Sequence, residues 1–341
     1  MNETIRSVLQ RAGVKIVIVN SLEQGRNESR LSSKVLIAFG CVYFFWGSTY
    51  VAIRFGVEVM PPFVLGAVRY TLAGALLLVF CMMRGISLRL TGREAWTQAA
   101  IGVLMLTGGN VGLMYAEQTL ASGLSSLIIA VIPLYVALFE ALTPRGEGLR
   151  AKGWVGIGIG FAGLVVLLWP GMRAGQHGNT GQMVGGLIAL GCALSWTAGS
   201  ILARRAKMTV SPFASAGWQM LIAGLFNGVV MLGLKDFHKA QWGAQGYLSV
   251  LYLVTFGSLV GYTAYIYLLD NVPVAKVSTY AYINPIVAVA LGGLFLHERM
   301  VGIEYVGMAS ILVAVWLVTS SKLKSGKAVA EVECGATEEL A

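Results

Sequence analysis

The stretch WGSTYVAIRFGVEVMPPFVLGAVRYTLAGALLLVF (46–80) is written again, loosely, 150 positions later as WTAGSILARRAKMTVSPFASAGWQMLIAGLFNGVV (196–230). Without a gap, Trp46 falls on Trp196, Arg54 on Arg204, Pro62-Phe63 on Pro212-Phe213, Ala73-Gly74 on Ala223-Gly224 and Val79 on Val229. Seven identities in 35 positions is a low percentage, but rare residue types are among those that coincide. The frame continues: a shift of 152 pairs Tyr115 with Tyr267 and Pro133 with Pro285, and a shift of 151 pairs Glu147 with Glu298 and Gly156 with Gly307. A long-period repeat inside an apolar chain is a common way of building an alternating-access site in a membrane.

The chain is 56% hydrophobic and 12% charged, against roughly 45–50% and about 25% in soluble domains. Its charges bound ten apolar runs: 35–53, 59–83, 95–116, 118–139, 153–172, 178–203, 208–234, 240–269, 277–296 and 305–321. A bilayer core demands about 20 apolar residues per helix. The runs show no period-2 alternation, so helices rather than barrel strands must satisfy the backbone in lipid. The predicted fold class is an all-α polytopic membrane protein of ten transmembrane helices.

The net charge of +9 suggests nucleic acid until its distribution is read. With a cytoplasmic N-terminus, nineteen Lys and Arg fall on inner segments and only five on outer ones. That is the positive-inside bias, and it places both termini in the cytoplasm. Nucleic acid is not an expected partner. Cys41, Cys81 and Cys192 lie in apolar runs and Cys334 in the polar tail. Without a CxxC spacing they suggest neither a disulfide framework nor zinc, and no metal or cofactor is expected.

Four segments follow: a cytoplasmic N-terminal extension (1–33), a first five-helix repeat (35–172), a second (178–321) and a cytoplasmic polar tail (322–341) with too little apolar content to pack. The patch Val14–Val19 is too short to span and lacks a small-residue cleavage site, so the extension is not a signal peptide. It fits an interfacial helix and, equally, an overlong start. Five helices per half is an odd number, so the second half must enter the membrane in the opposite sense. Loop charges agree. Loop 54–61 carries Arg54 and Glu58, whereas its partner 204–211 carries Arg204, Arg205 and Lys207; loop 143–152 carries Arg145, Arg150 and Lys152, whereas 297–304 carries His297, Glu298, Arg299 and Glu304. The repeats are therefore predicted to be inverted.

Residues 46–80 resemble the opening of EamA-type transporters of the drug/metabolite transporter superfamily. AEQTLASGLSSLIIAVIPLYVALFEAL (116–142) and YINPIVAVALGGLFLHERM (282–300) do so too, the latter as an Asn-Pro helix ending in a Glu-Arg pair. The resemblance runs over about 35–320 and looks closest to the YedA-like exporters. In the first half the ending reads Pro144-Arg145-Gly146-Glu147-Gly148, where the arginine does not follow the glutamate. The resemblance implies two EamA domains, multi-pass residence in the inner membrane and export of small metabolites, amino-acid-like compounds or drugs. The expected partners are a small-molecule substrate and the lipid bilayer; a homo-oligomer is left open.

Arg69 is the one fixed charge well inside a run, and an arginine deep in a span costs about 2.5–3.5 kcal/mol on insertion scales. It either faces a cavity or snorkels to the interface. Its repeat partner is Gln219, an asymmetry suited to an anionic group such as a substrate carboxylate. Trp46 and Trp196 form a symmetry-related mid-helix pair. Asn110, Tyr262, Tyr265, Tyr280 and Asn284 supply further polar groups, whose plainer role is interhelical hydrogen bonding. Together with Gln219 these are the candidate cavity residues. Pro133 and Pro285 are read as kink hinges, because each removes a backbone donor. Glu117 and Glu140 are the remaining acidic candidates in or beside spans; both lie near helix ends, where solvation is the simpler account. No carboxylate stands near a span centre, so nothing in the sequence points to a proton relay. Gly156-x-Gly158-x-Gly160 and Gly108-Gly109-x-x-Gly112 follow no strand and read as packing surfaces rather than dinucleotide loops.

His177, His238 and His297 all lie in loops and no paired span carboxylates exist, which argues against an enzyme. The expected function is a secondary exporter working by alternating access; the alternative is a channel or facilitative pore on the same inverted-repeat architecture.

Overall fold

The computed structural model describes residues 33–143, 148–176 and 180–338. The N-terminal extension up to residue 32 and the loop carrying Arg145 and Glu147 lie outside the described residues. All ten predicted spans are helices long and apolar enough to cross a membrane. They are α1 (Ser33–Val59), α2 (Pro62–Met83), α3 (Gly92–Ala116), α4 (Ser122–Leu142), α5 (Ala151–Gln176), α6 (Gly181–Arg205), α7 (Pro212–Gly233), α8 (Ala244–Asn271), α9 (Val274–Phe295) and α10 (Gly302–Glu338). The last continues as helix across 322–338, a stretch predicted as a polar tail. Its Lys, Ala and Glu residues are strong helix formers, and the helix already begun upstream needs no new nucleus.

The repeated Pro-Phe pair has a local explanation. Pro62 and Pro212 stand in the first turn of α2 and α7, where the missing N–H is no loss and the fixed φ favours helix. One apolar core draws on all ten helices. Large apolar side chains such as Leu36, Met83, Val229 and Phe295 face outward, as a lipid-facing surface requires.

The two halves meet through glycines. A Cβ on Gly74 of α2 would overlap the backbone nitrogen of Leu221 in α7, and one on Gly224 would overlap that of Thr71. A shift of 150 converts one contact into the other. Likewise a Cβ on Gly156 of α5 would stand 3.0 Å from the Ala314 carbonyl of α10, and one on Gly163 would stand 3.2 Å from that of Gly307. A shift of 151 relates this second pair. Contacts that map onto themselves under the repeat are the signature of a two-fold axis between halves.

Several helices depart from regular α geometry. α1 is π-helical over Val42–Trp46, α3 over Val103–Val111 and α8 over Leu253–Tyr262. α4 and α9 are broken, at Ala130–Val131 and at Ser278–Thr279. Here the paired prolines part company. Pro133 stands in the first turn of the segment that restarts after the α4 break, whereas Pro285 lies inside the continuous segment Tyr280–Phe295, beyond the α9 break. Repeat-related residues therefore sit in different local structures.

The C-terminal ends of α1, α3, α5, α7 and α9 share one end of the bundle, here the distal end, and their N-terminal ends share the proximal end.

Candidate functional site

Inside the bundle, between the halves, is a cavity of about 50 Å³ lined by Trp46, Thr49, Tyr50, Arg69, Gly109, Asn110, Leu113, Ile129, Ile132, Cys192, Trp196, Tyr280 and Asn284. Six of the nine sequence candidates are in this wall: Trp46, Arg69, Asn110, Trp196, Tyr280 and Asn284. Gln219, Tyr262 and Tyr265 are buried but do not line it.

Arg69 is only 3% exposed, so it does not reach the lipid headgroups. Its Nε donates to Ser258 Oγ of α8 (2.9 Å) and its Nη1 to Asn110 Oδ1 of α3 (3.0 Å). Asn110 Oδ1 also accepts from Tyr70 (2.6 Å). The guanidinium lies 4.9 Å from the Tyr70 ring centroid. A Cβ on Gly257 would be 2.6 Å from Nη2, so a larger residue there in the π-helical stretch of α8 would displace the guanidinium. Among the described residues no carboxylate pairs with Arg69 and no hydrogen bond occupies Nη2. A buried cation with an open donor is what an incoming anion would complete.

Gln219, the repeat partner, reproduces the same wiring in neutral form. Its Oε1 accepts from Tyr262 (2.6 Å), the partner of Asn110, and its Nε2 donates to Gln98 of α3 (2.6 Å), which itself donates to Ser215 (2.9 Å). Each residue thus binds the third helix of its own half and the facing helix of the other. With Gln in the second half, each of these polar atoms has an internal partner and the position carries no charge.

The aromatic residues pack as one group. The Trp46 ring centroid is 5.3 Å from that of Trp196, 4.8 Å from Tyr265 and 5.3 Å from Tyr280. Trp196 and Tyr280 meet Trp46 edge-to-face and Tyr265 meets it tilted; Trp46 Nε1 donates to the Gly257 carbonyl (3.1 Å), Trp196 Nε1 to Tyr265 Oη (3.2 Å), and Tyr265 Oη also meets Ser200 Oγ (2.8 Å). The Asn284 amide nitrogen, turned toward α1, donates to the backbone oxygens of Tyr43 (3.0 Å) and Tyr280 (3.3 Å).

At each end of the bundle a carboxylate grips the opposite half. At the proximal end Glu94 accepts from Thr209 N (2.7 Å) and Oγ1 (2.8 Å) as well as from Thr91 N (2.9 Å). At the distal end Glu298 accepts from Ser122 N (2.8 Å), Ser122 Oγ (2.7 Å) and Gly123 N (3.3 Å), capping α4. Neither clamp was legible in the sequence, because each acid lies beside polar loop residues and its partners in the other half are more than a hundred residues away. The repeated arginines do a related job. Arg54 donates to the Glu117 carbonyl at the end of α3, and Arg204 to those of Leu269 (3.1 Å) and Asp270 (2.8 Å) at the end of α8. Each cation thus meets carbonyls that a helix C-terminus leaves free.

Ten spans in two like halves, around a small cavity with Arg69 in its wall, define a polytopic membrane protein built by internal duplication. The chain belongs to the EamA-like transporter family, which it matches twice, over residues 33–169 and 183–320. It is 37% identical over 287 residues to the uncharacterized inner membrane transporter YedA of Escherichia coli K12, covering 84% of this chain and 90% of that one. It is 27% identical to the uncharacterized transporter YvbV of Bacillus subtilis, covering 87% of this chain and 94% of that one. It is 24% identical to a probable amino-acid metabolite efflux pump of Escherichia coli K12, covering 80% and 90%. A solved crystal structure superposes with a TM-score of 0.63 at 23% identity, covering 84% of this chain and 97% of that one, which speaks to the fold alone. The protein is a membrane transporter.

Proposed function

We propose that this transporter exports small metabolites, amino-acid-like compounds or drugs across the inner membrane by alternating access, taking a carboxylate-bearing substrate at Arg69. The observation that carries the substrate class is the buried guanidinium in the cavity wall, with which no carboxylate among the described residues pairs. Trp46, Trp196 and Tyr280 would pack the substrate's apolar part. Gln219, Tyr262 and Tyr265 act behind them by holding the wall in place. The uncharacterized inner-membrane relative and the probable amino-acid metabolite efflux pump support location and substrate class respectively.

Alternating access is supported by the two end clamps, Glu94 on Thr209 and Glu298 on Ser122. A cavity of about 50 Å³ has room for only a few waters, so a substrate enters when one clamp opens. The basic proximal end faces the cytoplasm, and the distal end faces outward. Pro133 and Pro285 serve as hinges next to the cavity.

The test is flux. Cells overexpressing the protein and cells lacking it are compared for exported metabolites, and the purified protein is then reconstituted in vesicles. Saturable, slow flux of a carboxylate-bearing compound supports the carrier; large unitary currents would instead indicate a pore.

A further inference from the structure

At the distal end the repeat breaks in one informative place. Arg54 and Arg204 are repeat partners and hold the ends of α3 and α8 by donating to the carbonyls of Glu117 and Leu269. These two residues are themselves related by the shift of 152, so an acid stands where the other half has a leucine. The environments match: Leu269 is 2% exposed and Glu117 is fully buried. Neither carboxyl oxygen of Glu117 has a hydrogen-bond partner among the described residues. A carboxylate enclosed in a leucine's pocket without donors would carry the full cost of desolvation, so the protonated acid is the form that fits.

The titratable and charged groups facing Glu117 are Arg54 and Tyr50 of α1 and Glu298 of the α9–α10 connection. Burial pushes the Glu117 carboxyl well above the usual carboxylate range, Glu298 raises it further, and Arg54 opposes both. Glu298 is the distal clamp on Ser122, and Tyr50 lines the cavity. Glu117 therefore stands beside both the gate and the substrate cavity.

We propose that Glu117 is a proton-binding site whose occupancy closes the distal end of the transporter. With the proton bound, the side chain is neutral, packs as its leucine counterpart does, and leaves Glu298 free to hold α4. Loss of the proton creates a buried anion beside a second carboxylate. That charge is relieved when the distal end opens and water reaches both. The sign follows from the raised value: closure is complete at low pH and is lost as pH rises through the value of the closed form. Proton binding from the distal side would thus drive the step that returns the emptied carrier, a role for protons that rests on the alternating-access reading above.

The test uses the full chain in lipid nanodiscs, with native cysteines replaced and spin labels at Gln118→Cys and Val301→Cys, which flank the distal gate. The expected result is a distance that is short at acid pH and lengthens as pH rises. In Glu117→Gln, the neutral isostere, and in Glu117→Leu, which copies the second half, the distance stays short at every pH. Infrared difference spectra should show a protonated-carboxyl C=O band in the closed protein that both variants lack. The same pH-driven lengthening in Glu117→Gln, or no such band in the unsubstituted protein, overturns the proposal. Intact pH gating with no flux of any compound would instead count against the transport reading, and normal flux without pH gating would count against this one alone.

Discussion

Replacing Arg69 with glutamine is the sharpest test of the cavity. The substitution copies Gln219, so it introduces a side chain that the other half already accommodates at the related position. It removes the cation and the unused Nη2 donor, while Asn110 Oδ1 keeps its bond from Tyr70. A hydrogen bond to a charged group contributes about 1.5–3 kcal/mol. Losing one therefore weakens binding of carboxylate-bearing substrates by roughly 10- to 150-fold. Cations gain or stay unchanged, because a buried like charge has gone. The assay is competition in reconstituted vesicles among acidic, zwitterionic and cationic compounds of matched size. Arg69→Lys should recover only part of the loss, since lysine keeps the charge but not the planar fork. Among the described residues no carboxylate pairs with Arg69, so removing an uncompensated buried cation offsets the loss of its bonds to Ser258 and Asn110, and thermal stability should not fall in the glutamine variant. An equal loss for all three classes, or no loss for acids, would refute the assignment of Arg69 as the carboxylate anchor.

Pro285→Ala should slow turnover more than it changes affinity, by restoring the donor to the Ala281 carbonyl within a continuous helix. Pro133→Ala should do less, because Pro133 occupies the first turn after a break; vesicle kinetics with separate maximal rates and half-saturations decide between them. Glu298→Ala removes a side-chain cap from α4, a loss of about 0.5–2 kcal/mol, and should raise labelling of cavity cysteines by reagents added on the distal side. Gly74→Leu and Gly224→Leu should each abolish folded protein in size-exclusion profiles, since a Cβ at either position collides with backbone of the partner helix.

The architecture was legible because it is written in long-range statistics. Ten apolar runs and a repeat of rare residues need no knowledge of contacts. Arg69, Asn110 and the tryptophans could be singled out because a polar or bulky aromatic group within an apolar run requires a reason. Glu117, an acidic candidate in the sequence, carried no sign of its burial, for the converse cause. In sequence it adjoins Gln118 and Thr119 and reads as the solvated end of a helix, whereas packing of α1 and the α9–α10 connection buries it. The available signal was the pairing of Glu117 with Leu269, an acid opposite a leucine in otherwise parallel contexts. The π-helical stretches left no trace in the sequence because they answer to neighbours: Gly108 and Gly109 of α3 press on Ser195 and Trp196 of α6, a constraint that appears only once the helices are packed. Pro133 and Pro285 show the limit of the repeat itself, which transmits residue identity but not the position of a break.

The glycine crossings bear on how the gene can be divided. Gly74 meets Leu221 and Gly224 meets Thr71, while Gly156 meets Ala314 and Gly163 meets Gly307, so every one of these surfaces is completed by the opposite half. Neither half holds its own closest helix partner. A coding sequence cut between α5 and α6 would yield two fragments that are each born with bare small-residue faces, and they should recover function only when made in the same cell. Drift at one crossing can be offset only by a matching change about 150 residues away, which ties the two halves to a shared mutational history.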